Sequence, residues 1–227
     1  MKKPILILFT IFSQIVDGQT AERLTINNRH LIDHNNDTIF LRGFNHSRWD
    51  SPEGDFLPED PYILRDSLGA NAVRTCLRWY WDADPNGPLE SRDPNAIGGI
   101  DPDRLEELDS VLHQLSRAGI WTIFYMNSNQ GAGQDVENHY LASETMKNEF
   151  IDTWLFLANR YKDLPYIAAF EILAEPSFMK YDPTVTHQNL ADFYKEMMDT
   201  INTVTKGEIP FAIGPMNHYR EESFMDE

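Results

Sequence analysis

Pro165-Tyr166-Ile167-Ala168-Ala169-Phe170-Glu171-Ile172-Leu173-Ala174-Glu175-Pro176 is an apolar run that ends in a carboxylate followed by proline. A continuous run of Ile, Ala, Phe and Leu is the pattern of a strand covered on both faces, and Pro176, which has no N–H to give, ends the ladder. The stretch reads as a buried strand with Glu175 at its carboxyl end. Helical patterns before and after it place the strand in an alternation of β and α units. In parallel α/β folds, sites are built at the carboxyl ends of the strands.

Working upstream, 24–41 alternates turn residues (Asn27-Asn28 and Asn35-Asn36-Asp37) with short apolar pieces, which predicts a small β-hairpin closing the bottom of the main fold. A first strand follows at Leu41-Arg42-Gly43-Phe44-Asn45-His46. Asp60 as cap and Pro61 as opening residue predict a first helix with Ile63, Leu64 and Leu68 on one face and Gly69 as its stop. A second strand covers 71–80, and after a long loop (81–100) a second helix opens at Asp101-Pro102. Its Leu105, Leu108, Leu112 and Leu115 keep the helical period up to Gly119. The third strand is 120–127, followed by a Gly-rich loop (128–133) and a helix that buries Phe150, Trp154, Ala158 and Tyr161. Beyond the central stretch, Thr186 opens a helix carrying Leu190, Phe193, Met197, Ile201 and Val204, Gly207 stops it, and 209–214 makes a fifth strand. This gives an α/β chain of five strands and four helices with no repeat and no second domain.

The sequences Arg42-Gly43-Phe44-Asn45, Val73-Arg74 and Phe170-Glu171-Ile172-Leu173-Ala174-Glu175-Pro176 together resemble the first, second and fourth strands of clan A glycoside hydrolases, most of all the cellulases and mannanases of family 5. The resemblance runs from Leu41 to about Tyr219. It implies a (β/α)8 TIM barrel, which needs eight strands and about 250 residues. About five of the eight βα units are present, so 22–227 is expected to be the N-terminal part of a single barrel domain. The implied activity is a retaining glycoside hydrolase that cleaves O-glycosidic bonds in β-linked polysaccharide or oligosaccharide. By the same resemblance Glu175 is the general acid/base and Arg74 holds the nucleophile carboxylate. The nucleophile itself is a Glu of the seventh strand, outside this sequence, so the fragment alone is expected not to turn over. Ala174 stands where the family usually has an Asn that touches the sugar 2-hydroxyl. Tyr125, Met126 and Asn127 stand where it has Asp, any residue, then His. These two departures support a competing reading, a non-catalytic carbohydrate-binding barrel.

Retaining glycosidases use two carboxyl groups about 5–5.5 Å apart, one to protonate the leaving oxygen and one to attack the anomeric carbon. Glu171 shares strand parity with Glu175, but four residues of strand separate them by roughly 13 Å. Glu171 is therefore read as a buried acid that needs a cation, Arg74 or Arg78. Asn127 can hydrogen-bond a sugar hydroxyl but cannot titrate. Trp79, Tyr80 and Trp49 follow directly on the ends of the second and first strands, where rings can stack on the apolar faces of a pyranose. Asn45 and His46 lie at the same rim and complete the expected substrate-binding set, with a purely structural role equally open for His46. Asp82-Ala83-Asp84-Pro85-Asn86-Gly87 followed by Asp93 fits a calcium loop except for the final Asp. Helices of the EF-hand kind are absent around it and its prolines stiffen it, so it is read as an acidic cleft loop. Neither a metal nor a cofactor is assigned.

A net charge of −17 repels nucleic acid and anionic membrane surfaces, whereas a neutral polymer is not repelled. Met1-Lys2-Lys3, the apolar 4–16 and Asp17-Gly18 fit a secretory signal over 1–18, too short to span a bilayer comfortably. Export to the periplasm or the medium is expected, with no membrane contact after cleavage and a monomer at full length. Cys76 is the single cysteine, so no intramolecular disulfide is available.

Overall fold

The computed structural model describes residues 22–46, 56–78, 102–127, 140–174, 176, 178 and 182–214, and the side chains of 76–78, 102–104 and 127 fall outside that description. The first three strands, β1 (Thr25–Asn27), β2 (His30–Ile32) and β3 (Thr38–Ile39), form an antiparallel meander, one strand more than the predicted hairpin. Its turns rest on short polar residues. Asn28 and Asn36 take φ of 56° and 67°, a conformation Asn tolerates better than most L-residues. The Asp33 carboxylate accepts the N–H groups of Asn35 and Asp37 at 2.9 and 2.8 Å.

The second sheet contains β4 (Gly43–His46), β5 (Ala72–Arg78), β6 (Trp121–Asn127), β7 (Ile167–Glu171) and β8 (Phe211–Ala212), all parallel and in chain order. Helices α1 (Asp60–Tyr62), α2 (Pro102–Arg117), α3 (Glu144–Tyr161) and α4 (His187–Thr205) occupy the four gaps. Parallel crossovers are almost always right-handed. A sheet whose order never reverses therefore gathers its helices on one face, as a barrel does and a doubly wound sheet does not. The packing agrees. Val73 clusters with Val111 and Leu115 of α2, and Trp154 of α3 lies 5.7 Å from the ring of Phe124 and 5.4 Å from that of Phe170.

The other face is closed at one end by the meander. Leu24 is completely buried beside Ala72, Trp121 and Ala168, with Leu31, Ile39 and Leu41 packed around them. Ala72 and Trp121 open their strands, so the meander covers the amino ends of the sheet, as predicted. Full burial of one Leu side chain contributes about 1.5–3 kcal/mol. Arg23 fastens the same segment to the end of α3, donating to the carbonyls of Lys162 and Leu164, where the helix dipole favours a cation.

Three helices follow the sequence closely. Leu108, Leu112 and Leu115 of α2, Phe150, Trp154 and Ala158 of α3, and Leu190, Phe193 and Met197 of α4 are all buried. Ser143 caps α3, and Thr186 opens α4 with a reciprocal capping box to Asn189, which satisfies N–H groups that have no intrahelical partner. The first helix differs. Glu59, not Asp60, holds the cap position and makes no side-chain bond there, while the Asp60 carboxylate accepts the N–H of Leu57 at 2.8 Å. After one turn the helix widens into a π-helix over Ile63–Ser67. The wider turn leaves Ile63 and Leu68 exposed and only Leu64 packed inward, so the predicted apolar face is not formed. Gly69, at φ 65°, ends the segment as expected.

The central strand is shorter than its apolar run. Pro165 and Tyr166 form a turn, with Tyr166 at φ 64°, and the regular ladder ends at Glu171. The chain then continues on single bonds, from Ile172 N–H to the Ala212 carbonyl (3.4 Å) and from Ala174 N–H to the Met126 carbonyl (3.1 Å).

Candidate active site

Strand alternation sorts the side chains of β5: Val73 and Thr75 face the helices, while Ala72 and Arg74 face the other way. Asn45 lies opposite Arg74 in the β4–β5 register, and Tyr125 lies opposite Glu171 in the β6–β7 register. Four side chains from four neighbouring strands are thereby brought together. Arg74 Nε donates to Glu171 Oε2 at 2.6 Å and Nη2 to Oε1 at 2.7 Å, a fork-to-fork pair spanning two strands. Its guanidinium carbon stands 3.6 Å from the centre of the Tyr125 ring, and Nη1 faces Asn45 Oδ1 at 3.5 Å.

Each contact answers a cost of burial. The Glu171 side chain is 9% exposed and that of Arg74 26%; a carboxylate so buried is stable only when paired and hydrogen-bonded. Of the two cations expected for Glu171, Arg74 is paired with it, and the side chain of Arg78 lies outside the described residues. Bidentate geometry fixes orientation as well as charge, and the ring face attracts the cation from a third side.

His46 is placed elsewhere. It lies opposite Thr75, its Nδ1 is 3.2 Å from Thr75 Oγ1, and its ring is 4.8 Å from that of Phe56. That is the face away from Asn45 and Arg74, so His46 does not join the cluster.

Among protein families, Cellulase (glycosyl hydrolase family 5) matches the chain over residues 32–209. The chain belongs to glycosyl hydrolase family 5. Solved structures of similar fold include the native β-glucanase SdGluc5_26A of Saccharophagus degradans, with TM-score 0.67 and 18% identity over 92% of this chain and 58% of that one. An endogalactoceramidase gives TM-score 0.64 and 15% identity over 90% of this chain and 57% of the other. The catalytic domain of the major endoglucanase of Xanthomonas campestris pv. campestris gives 0.57 and 16% over 85% and 57%. No curated protein matches in sequence. The chain spans somewhat over half the length of these structures (57% and 58% of the first two), and its five parallel strands form part of a family 5 TIM barrel.

In family 5 terms, the strand-two arginine and the strand-four glutamate stretch are both on this chain. Glu175, Trp49, Trp79, Tyr80 and the acidic loop 82–93 lie outside the described residues; Asn127 closes β6, its side chain undescribed. The residues that precede Glu175 are described up to Ala174. Ala174 is buried and bonded to the carbonyl of Met126, the penultimate residue of β6, so the described chain reaches the carboxyl end of the sheet at 174. Trp154 holds the approach, its indole N–H donating to the Ile172 carbonyl at 3.0 Å. Sequence reasoning gave Tyr125 no part in the site. Its parity with Asn127 on a predicted strand was the available hint. Among the described residues no group of side chains is arranged to hold a metal ion.

Proposed function

We propose that the whole protein is a retaining glycoside hydrolase acting on β-linked polysaccharide or oligosaccharide, with Glu175 as its acid/base. The observation that carries this reading is Arg74, fixed by Glu171 on the sheet face opposite the helices, where the family has the arginine that holds its nucleophile. That nucleophile is a Glu on a later strand that this chain does not include. In the first step Glu175, as the acid, gives its proton to the glycosidic oxygen while the nucleophile carboxylate bonds to the anomeric carbon and the C–O bond breaks. In the second step the Glu175 carboxylate takes a proton from water, whose oxygen displaces the nucleophile. Asn45 and Asn127 are assigned to sugar hydroxyls, and Trp49, Trp79 and Tyr80 to the apolar sugar faces. Two of the similar structures are named as a β-glucanase and an endoglucanase, which supports a β-glucan as substrate.

The test is Glu175→Ala in the whole protein, assayed on 2,4-dinitrophenyl and alkyl β-cellobiosides. General acid catalysis contributes about 10²–10⁴-fold. In kcat/KM the alkyl glycoside should lose that much, while the dinitrophenyl glycoside, whose leaving group needs no proton, should keep its value and lose only in kcat, because the second step still lacks its base. Equal losses of kcat/KM on both remove Glu175 from the role. Ala174, in place of the family's usual Asn, favours a second reading, a barrel that binds sugar without cleaving it. Wild-type protein that binds cello-oligosaccharides and turns over neither glycoside establishes that alternative.

A further inference from the structure

We propose that Glu171 and Tyr125 are positioning residues that hold the Arg74 guanidinium as a preset anchor for the nucleophile carboxylate. The inference rests on the glycosidase reading and deepens it. An arginine side chain has several rotatable bonds, and on an open sheet face it samples many positions. Here three directions are constrained at once. The Glu171 carboxylate takes Nε and Nη2 at 2.6 and 2.7 Å, which sets the plane and roll of the guanidinium. The Tyr125 ring, 3.6 Å from the guanidinium carbon, supports one face. Asn45 Oδ1, 3.5 Å from Nη1, marks the direction in which the third arm points.

Glu171 and Tyr125 are register partners on β7 and β6, and both are buried, so the frame is built from the rigid part of the sheet and not from loops. Tyr125 also occupies the position where the family usually has Asp. An acid there would add a second carboxylate beside Arg74. A ring supports the guanidinium while leaving Glu171 as the carboxylate seen to share it. Orientation of this kind matters because a displacement of about 1 Å in a reacting group can cost about 10²-fold in rate.

The experiment measures kcat and KM of the whole protein on 4-nitrophenyl β-cellobioside and 4-nitrophenyl β-mannobioside, corrected for folded fraction. The variants are Glu171→Gln, Tyr125→Leu and Tyr125→Phe, each alone and with Arg74→Lys. Glu171→Gln and Tyr125→Leu should each lower kcat about ten- to hundred-fold with KM changed less than about three-fold, because the anchor acts on the nucleophile and not on the sugar. Tyr125→Phe, which keeps the ring, should recover most of what Leu loses. With Arg74→Lys already present, Glu171→Gln and Tyr125→Leu should each cost less than about two-fold more. Unchanged kcat in both single variants, or losses that multiply independently of Arg74, overturns the proposal and leaves the glycosidase reading standing. If one variant does not fold, the other carries the same comparison. Wild-type protein inactive on both glycosides defeats the glycosidase reading itself, and the positioning role falls with it.

Discussion

Gly43 sits where the β4 backbone passes so close to β5 that a Cβ placed on it would overlap the carbonyl oxygen of Ala72. The obstacle is backbone, not a side chain that can swing away, so relief requires the two strands to part. Gly43→Ala is expected to destabilise the whole protein by about 1–3 kcal/mol, the range for forcing an extra methyl group into a filled space, read as a lower urea midpoint at unchanged slope. An unchanged midpoint would show that the strands separate at no cost. At this scale the sequence was partly legible. Parity and charge were enough to predict that Glu171 needs a cation, and Arg74 supplies it by reaching over β6, because both face the same side of the sheet. The glycine of Arg42-Gly43-Phe44-Asn45 was visible as a motif residue, but its reason was not, since the approach of β5 is a distance between segments far apart in the chain. Tyr125 was hidden for a related reason: its contact with Arg74 runs diagonally across β5 and β6, and strand parity gives only the face. His46 went to the helix side because it follows Asn45 by one residue, and in a strand adjacent residues face opposite ways.

Among the elements, α2 and α3 share the apolar core and are also tied by a carboxylate. Asp109 of α2 accepts from Arg160 of α3 through Nε at 2.8 Å and also from Nη2, and from the hydroxyl of Tyr161 at 2.8 Å. Burial acts to raise its pKa, but the bonds from Arg160 and Tyr161 outweigh that and hold it below the usual carboxylate range. Tyr161 is displaced upward, first by burial and then by the Asp109 charge, so its hydroxyl remains a donor. A carboxyl whose folded pKa is depressed adds stability that is fully present above its unfolded value, about 3.9, and is lost as the pH falls through the folded value. Asp109→Asn should therefore cost about 1–2 kcal/mol near neutral pH, the usual figure for bonds to a charged group reduced for partial exposure. That deficit should begin to shrink below about pH 4, where the carboxyl of the unfolded chain takes up its proton, and go on shrinking as the pH falls through the lower folded value. Urea unfolding at pH 7 and pH 3 checks this, and a deficit equal at both values would remove the carboxylate from the account. The helices themselves were well read from sequence because α2, α3 and α4 keep one period between clear caps. The first helix was not, since its period assumes 3.6 residues per turn and the π-helix over Ile63–Ser67 abandons it after one turn. The apolar run around β7 overstated the ladder for a different reason: 172–174 are buried, and Pro165 and Tyr166 half-buried, without being paired as strand, and hydrophobicity reports burial, not pairing.

For the molecule as a whole, the parallel sheet has two ends that differ from its middle. Among the described residues no strand pairs with the outer edge of β4 or of β8, and apolar side chains are exposed near both, Phe40 (68%) and Phe44 (49%) at one and Ile213 (40%) at the other. A closed barrel has no edges, and in the proposed whole protein the remaining βα units would join these two. A parallel edge with free backbone groups and exposed apolar side chains offers a template for another chain. The negative charge of the sequence, −17, opposes association, but long-range repulsion is screened beyond about 8 Å at physiological ionic strength, whereas edge pairing and apolar contact act at closer range. Residues 22–227 expressed alone are therefore expected to associate or to remain molten, with ANS binding and no cooperative thermal transition. The whole protein should run as a monomer that unfolds cooperatively. Light scattering with calorimetry on both proteins, at low and at 0.5 M salt, separates the terms: added salt should worsen association of the short form by screening its charge. A monomeric, cooperatively unfolding 22–227 at both salt concentrations would mean that the five-stranded sheet closes its own edges, and the case for missing βα units would lose its physical basis.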